Sequence, residues 1–123
     1  MATEFKRVCM ADVPTTALKN TSNANSDLYS VPANCDTVIV GMLFCNKHSS
    51  DITVDAMIEV QSGQGEDAYI VKDVTVPVGS SLEVIAGKIV VANTGSGTGD
   101  IIQVRASNTN CDVVLSILEN TSS

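Results

Sequence analysis

Three carboxylates, Glu59, Asp73 and Glu83, sit on apolar-patterned segments that follow one another along the chain. A converging pair of such acids would serve glycoside hydrolysis, but no aromatic platform for a sugar is evident beside them. The single His48 lies in a polar turn with Lys47, Ser49 and Ser50, without an adjacent nucleophile or second ligand, so a surface histidine is the simpler reading. The four cysteines, Cys9, Cys35, Cys45 and Cys111, form no C-x-x-C pair. Structural zinc sites draw ligands in close pairs, so the four read as independent thiols, and Cys35 would pair with Cys111 or Cys45 only in an oxidising medium.

Two glycine-bearing stretches bear on ligand chemistry. Gly63, Gly65, Glu66 and Asp67 offer oxygens of the kind calcium takes, but lack the spacing of a calcium loop. Gly95-Ser96-Gly97-Thr98-Gly99 has the composition of a phosphate cradle, yet Ile101 opens a strand where a helix N-terminus is required, and no Lys follows. A flexible hairpin is expected there. With no catalytic, cofactor or metal constellation, the chain is expected to be non-enzymatic and to act by shape and surface.

The elements around these residues have a period of two. Ile52, Val54, Ala56, Ile58 and Val60 alternate with Thr53, Asp55, Met57, Glu59 and Gln61, the pattern of a strand with one face in a core and the other in water. Similar patterning gives strands near Thr37 to Asn46, Ala68 to Val76, Ser81 to Ile85, Lys88 to Ala92, Ile101 to Ala106 and Asp112 to Glu119. In the first of these, Ile39, Gly41, Leu43 and Cys45 are placed on one face. Turn residues separate the segments, and no connection is long or periodic enough for a crossover helix, so the pairing should be antiparallel.

The first third is less regular. Phe5 to Met10 reads as an edge strand or as an arm, Thr16 to Asn20 as a short strand, and Asn20 to Ser26 as a polar loop or mobile tether. Ser26 to Val31 reads as a strand stopped by Pro32. One-sided strands need a second layer, so the expected fold is an all-β antiparallel sandwich of about eight or nine strands, with a jelly roll as one topology. Its divisions are an N-terminal arm or edge strand (1–25), the sandwich (26–119) and a polar C-terminal tail (120–123). Phe5, Val8 and Met10 are the candidate partner-contact residues of the arm, since an apolar strip beyond a polar tether suits strand addition to a neighbour.

Charge narrows the partners. The 123 residues carry 14 acidic against seven basic side chains, a net charge of −7, with no basic cluster larger than Lys6 and Arg7. Such a surface repels phosphate backbones and anionic lipid, so neither nucleic acid nor membrane is expected to bind. No apolar run has the length of a membrane span or signal peptide, and the expected place of folding is a cytoplasm.

Asp27-Leu28-Tyr29-Ser30-Val31-Pro32-Ala33-Asn34, the strand Val38 to Asn46 and the turn Ser49 to Val54 together resemble small virion structural proteins of tailed bacteriophages, notably those of marine hosts. In that group a Leu-Tyr-x-Val-Pro-Ala lead-in precedes an apolar strand ending in Asn. The resemblance continues through Tyr69 to Asp73, Val76 to Val84 and Gly99 to Val104, covering roughly residues 26–119. It implies a virion component made in the host cytoplasm, with capsid decoration (cement) as the first expectation. Tail, neck or baseplate association is the alternative, and a carbohydrate-binding module a third. The implied partners are the major capsid protein or tail and neck proteins, with the chain a homo-oligomer on the particle.

Overall fold

A computed structural model describes residues 2–15, 18, 27–60, 66–85, 87–93, 95 and 99–121. Nine strands occur among them: β1 (Ala2–Met10), β2 (Asp27–Ser30), β3 (Cys35–Asn46), β4 (Ile52–Glu59), β5 (Ala68–Val76), β6 (Ser81–Glu83), β7 (Ile89–Asn93), β8 (Ile101–Ala106) and β9 (Cys111–Thr121). Apart from Leu18, the expected strand at Thr16 to Asn20 and the polar tract Asn20 to Ser26 lie outside the described residues.

Two antiparallel sheets result. The first runs β1-β9-β3, with β6 and β7 both pairing the far edge of β3; the second runs β2-β8-β4-β5. The pairings are nested along the chain: β1 with β9, β2 with β8, β3 with β6 and β7, and β4 with β5. One long hairpin wrapped into two layers has this order, so the sandwich is a jelly roll with β6 and β7 sharing one strand position. The tight turn between β5 and β6 shows how sequence sets the path. Ser80 donates its N–H to the Pro77 carbonyl at 3.1 Å, and Gly79 takes the φ of 71° that the third position of a type II turn requires.

The inner faces interlock into one core. Ile39, Met42, Phe44, Val113, Leu115 and Ile117 of the first sheet meet Val54, Ala56, Val76, Ile102, Val104 and Ala106 of the second, all buried. Each large side chain among them contributes on the order of 1.5–3 kcal/mol by leaving water. A bulge at Val40, between the pairs Ile39/Ile117 and Gly41/Ser116, sets the phase of β3. It inserts one residue, so Ile39 points inward whereas Gly41, Leu43 and Cys45 point outward. The single face expected for those four residues is therefore wrong, because a one-residue insertion inverts every side chain beyond it.

The expected water-facing side of β4 also needs correction. Val54 is buried as expected, but Asp55 and Met57 on the opposite face are 4% and 1% exposed. Residues 13–15 are tied to β8 and β9 nearby. Val13 donates its N–H to Cys111, Ala106 donates to Pro14, and Arg105 Nε donates to the Thr15 carbonyl. Leu18 then flanks Asp55, Tyr69 and Arg105 on that outer side.

Of the two readings of residues 2–10, the structure takes the edge strand. β1 pairs β9 over nine residues without a register shift, and Val8 and Met10 pack against the core. At the other end β9 reaches Thr121, so residues 120–121 belong to the sandwich and not to a tail. Long-range disulfide pairing is excluded by register. Cys35 lies opposite Thr121 and Cys111 opposite Asn46, roughly 30 Å apart along the strands, and Cys45 faces outward.

Candidate functional site

The outer face of the first sheet is the most distinctive surface. Phe5 on β1 lies directly opposite Leu118 on β9, Leu118 opposite Val38 on β3, and Val38 opposite Val90 on β7. These four side chains make one apolar row across four strands. Phe5 is 78% and Val90 59% exposed. The bulge adds Val40, and a second, shorter row joins Cys9, Val114 and Leu43. Arg7, Asp36, Glu83 and Lys88 are exposed around it. Shallow depressions lie between Val40, Glu83, Ile85 and Lys88, and between Gly41, Leu43, Val114 and Ser116. An apolar centre with a charged rim is the composition of a protein-binding surface.

Only one of the three candidate arm residues belongs to this surface. Phe5 points outward, whereas Val8 and Met10 alternate to the inner side and touch the core. The sequence placed all three in one strip because β1 was read without its partner. Val38, Val40, Leu43, Val90 and Leu118 were missed as surface residues; the signal was the apolar residues standing at both parities of β3.

On the inner side of β1, a polar cluster fastens the edge strand to both sheets. Glu119, itself buried, accepts a hydrogen bond from Tyr29 Oη at 2.6 Å and a salt bridge from Lys6 at 2.8 Å. Tyr29 Oη also meets Thr37 Oγ1 at 2.8 Å. Burial alone would push the Glu119 carboxyl upward, but the donors Lys6 and Tyr29 outweigh it and hold the group below its usual range. Tyr29 is pushed well above the ordinary tyrosine range, first by burial and then by Glu119.

The outer side of the second sheet is different in kind. Asp55 and Arg105 are directly opposed on β4 and β8, with Arg105 Nη1 3.7 Å from the carboxylate. The other Asp55 oxygen accepts the N–H of Asp73 at 2.7 Å. Asp73 has a φ of 52°, and the β4–β5 register shifts alongside it. The buried carboxylate thus holds a bulge in a left-handed conformation that L-residues seldom adopt. Tyr69 and Lys72 stand beside this bulge, the Lys72 ammonium 5.0 Å from the ring centre. Farther along, Gln103 Nε2 donates to Asp27 and Glu59 at 2.9 and 3.2 Å.

The carboxylates considered for hydrolysis do not converge. Glu59 and Asp73 belong to the second sheet, and Glu83 lies on β6 of the first. Asp67 accepts the N–H of Val60 at 2.6 Å and closes the β4–β5 hairpin; Gly63 and Gly65 lie outside the described residues. Among the described residues, no group of three His, Cys, Asp or Glu side chains could hold a metal ion. His48 sits at the loop end, its Nδ1 3.4 Å from Asn110 Nδ2. Cys111 is buried and its thiol pushed up to about 11, first by desolvation, which keeps it unreactive at neutral pH.

The described end of the glycine-rich stretch is a rigid junction. Asp100 accepts the Ala92 N–H on its carboxylate and donates its own N–H to the Ala92 carbonyl, while Val31 donates to Asp100. A Cβ at Gly99 would stand 2.5 Å from Asn93 Cβ and 2.8 Å from the Val31 carbonyl oxygen. The glycine is needed for close approach. Residues 96–98 lie outside the described residues. No helix among the described residues is long and apolar enough to cross a membrane. The chain matches no protein-family model and no curated protein.

Proposed function

We propose that the protein is a non-enzymatic structural component of a bacteriophage particle, a capsid decoration protein that lays the outer face of its first sheet against the repeated shell surface. The observation that carries this reading is the apolar row Phe5, Leu118, Val38 and Val90, exposed on a regular sheet and bordered by charge. A flat apolar face suits a partner that is itself flat and repeated. On a symmetric lattice many weak contacts gain effective concentration from one another, so no single copy needs a deep pocket. The jelly roll is compatible with this use, being found in viral capsid and lectin domains, but fold alone does not assign function. The virion context comes from the resemblance of residues 26–119 to small phage structural proteins.

Quantitative mass spectrometry of purified particles is the test. Copies in the hundreds fit a shell-wide lattice, whereas a few to a few tens fit the neck, tail or baseplate, which is the alternative within the same class. Absence from the particle overturns the reading.

A second reading, a glycan-binding module, is favoured by one observation. Tyr69 is half-exposed beside Asp55, Asp73, Lys72 and Arg105, an aromatic surface with hydrogen-bonding groups at its edge. Retention on immobilised host glycans that is lost in Tyr69→Ala would support it.

A further inference from the structure

β1 is the outermost strand of the first sheet, and its far side has no strand partner among the described residues. The other edges are blunted. β2 spans four residues with a register shift, β6 and β7 span three and five, and β5 carries the Asp73 bulge. β1 alone is long and regular, with nine residues, no proline and no bulge. An edge of that kind is a template for another strand.

We propose that its occupant is the β1 strand of a second copy of this chain, paired antiparallel about a two-fold axis that passes between the two Phe5 residues, perpendicular to the sheet. An axis in that direction keeps the outer faces of both copies on one side, and pairs residues symmetrically about its centre. Centred on Phe5, it places Phe5 against the partner's Phe5, Glu4 against the partner's Lys6 and Thr3 against the partner's Arg7. Centred on Glu4, Lys6 or Arg7 it sets like charges face to face, which opposes pairing. Centred on Thr3, Val8 or Cys9 it leaves more of β1 unpaired, so charge and overlap together select one register.

Two features agree with this choice. An inward lysine on an edge strand ordinarily discourages pairing, but Lys6 is already compensated by Glu119 at 2.8 Å and Glu4 at 3.5 Å. The apolar row also ends at the free edge on Phe5, its most exposed member. In the dimer the row continues unbroken from Val90 of one copy through both Phe5 side chains to the partner's Val90. The contact doubles the apolar face while leaving it open on one side, and it does not depend on where the protein works.

Sedimentation of the full chain across the micromolar range, with cysteine cross-linking in a Cys9→Ser background, tests the pairing. Expected are a dimer that Phe5→Asp weakens roughly tenfold or more and a melting temperature that the substitution leaves unchanged at concentrations where the wild type is monomeric, since Phe5 is exposed in the single chain. Under mild oxidation Phe5→Cys should give a covalent dimer, while Thr3→Cys and Arg7→Cys cross-link when mixed but not alone. A wild-type chain that stays monomeric overturns the proposal. Equal cross-linking by all three variants also overturns it, because face-to-face stacking or random collision would give that result. Particle copy number is measured separately, so a failure here leaves the virion reading standing or falling on its own test.

Discussion

The two outer faces of this sandwich use the same strand geometry and treat solvent in opposite ways. On the first sheet, Phe5, Leu118, Val38 and Val90 leave an apolar row uncovered on regular strands. On the second, Asp55 and Met57 are buried on the side that should face water, and a bulge at Asp73 is held by a carboxylate. Polar groups with buried partners set local shape; apolar groups left outside form the face that the proposed docking would cover. An acid in the sequence is therefore weak evidence of a site in this protein, and a valine on the outward parity of a strand is better evidence.

The sharpest contrast is between the shared core and either face. Val54→Asp puts an unpartnered charge between the sheets and should cost at least about 4 kcal/mol, enough to unfold the chain, whereas Thr53→Asp on the other face should shift stability by less than about 0.5 kcal/mol. Equal thermal shifts in the two variants would break the assignment of faces.

Next in size come the pins of the second sheet and its loops. Asp55→Ala removes the acceptor for the Asp73 N–H and leaves Arg105 without its carboxylate, an expected loss of about 1–3 kcal/mol in denaturant titration. Gly99→Ala drives a methyl group into Asn93 and the Val31 carbonyl, for about the same loss. Phe5→Ser, on the exposed row, should change the stability of the monomer by no more than about 0.5 kcal/mol. If Phe5→Ser proves as costly as Asp55→Ala, the row belongs to a folded interface of the isolated chain and the contrast fails.

A smaller effect concerns pH. The Glu119 carboxyl is held below its usual range in the folded state, so the stability it contributes is present above the unfolded value of about 4.3 and lost as pH falls through the folded value. Lys6 and Tyr29 are both raised, so their contribution is present below about 10 and lost as pH climbs beyond. The Cys111 thiol is raised as well, so its contribution begins to be lost above its unfolded value of about 8.5, and the pH–stability curve should be level only from about 4.3 to that point. Glu119→Gln should flatten its acid limb, and an unchanged acid limb would mean that other carboxylates govern it.

Much of the fold was legible because period two is a strong signal. Ala68–Val76 and Ile101–Ala106 have the strand limits their sequences suggest. The faces were less legible. Val40 inverts β3 by one residue, and the isolated Gly41 beside it is a local mark of a bulge, but which residue is inserted is set by the pairing with β9. Strict alternation puts Met57 on the water-facing side, and its burial depends on neighbours distant in sequence, with Tyr69 of β5 directly opposite it. The candidate surface was half visible for a related reason. Phe5 stands out in the sequence as an apolar residue on an edge strand or arm, but its row is assembled from strands distant in sequence, and antiparallel register alone brings Leu118, Val38 and Val90 beside it.

The docking claim is tested most directly by binding of purified variants to particles that lack the protein. Val38→Asp and Val90→Asp, paired on the first sheet's outer face, should each abolish incorporation while leaving the fold intact by circular dichroism, and Tyr69→Asp on the second sheet should incorporate like the wild type. Retained incorporation of Val38→Asp and Val90→Asp, with loss in Tyr69→Asp, would contradict the account and move the binding surface to the other side of the molecule.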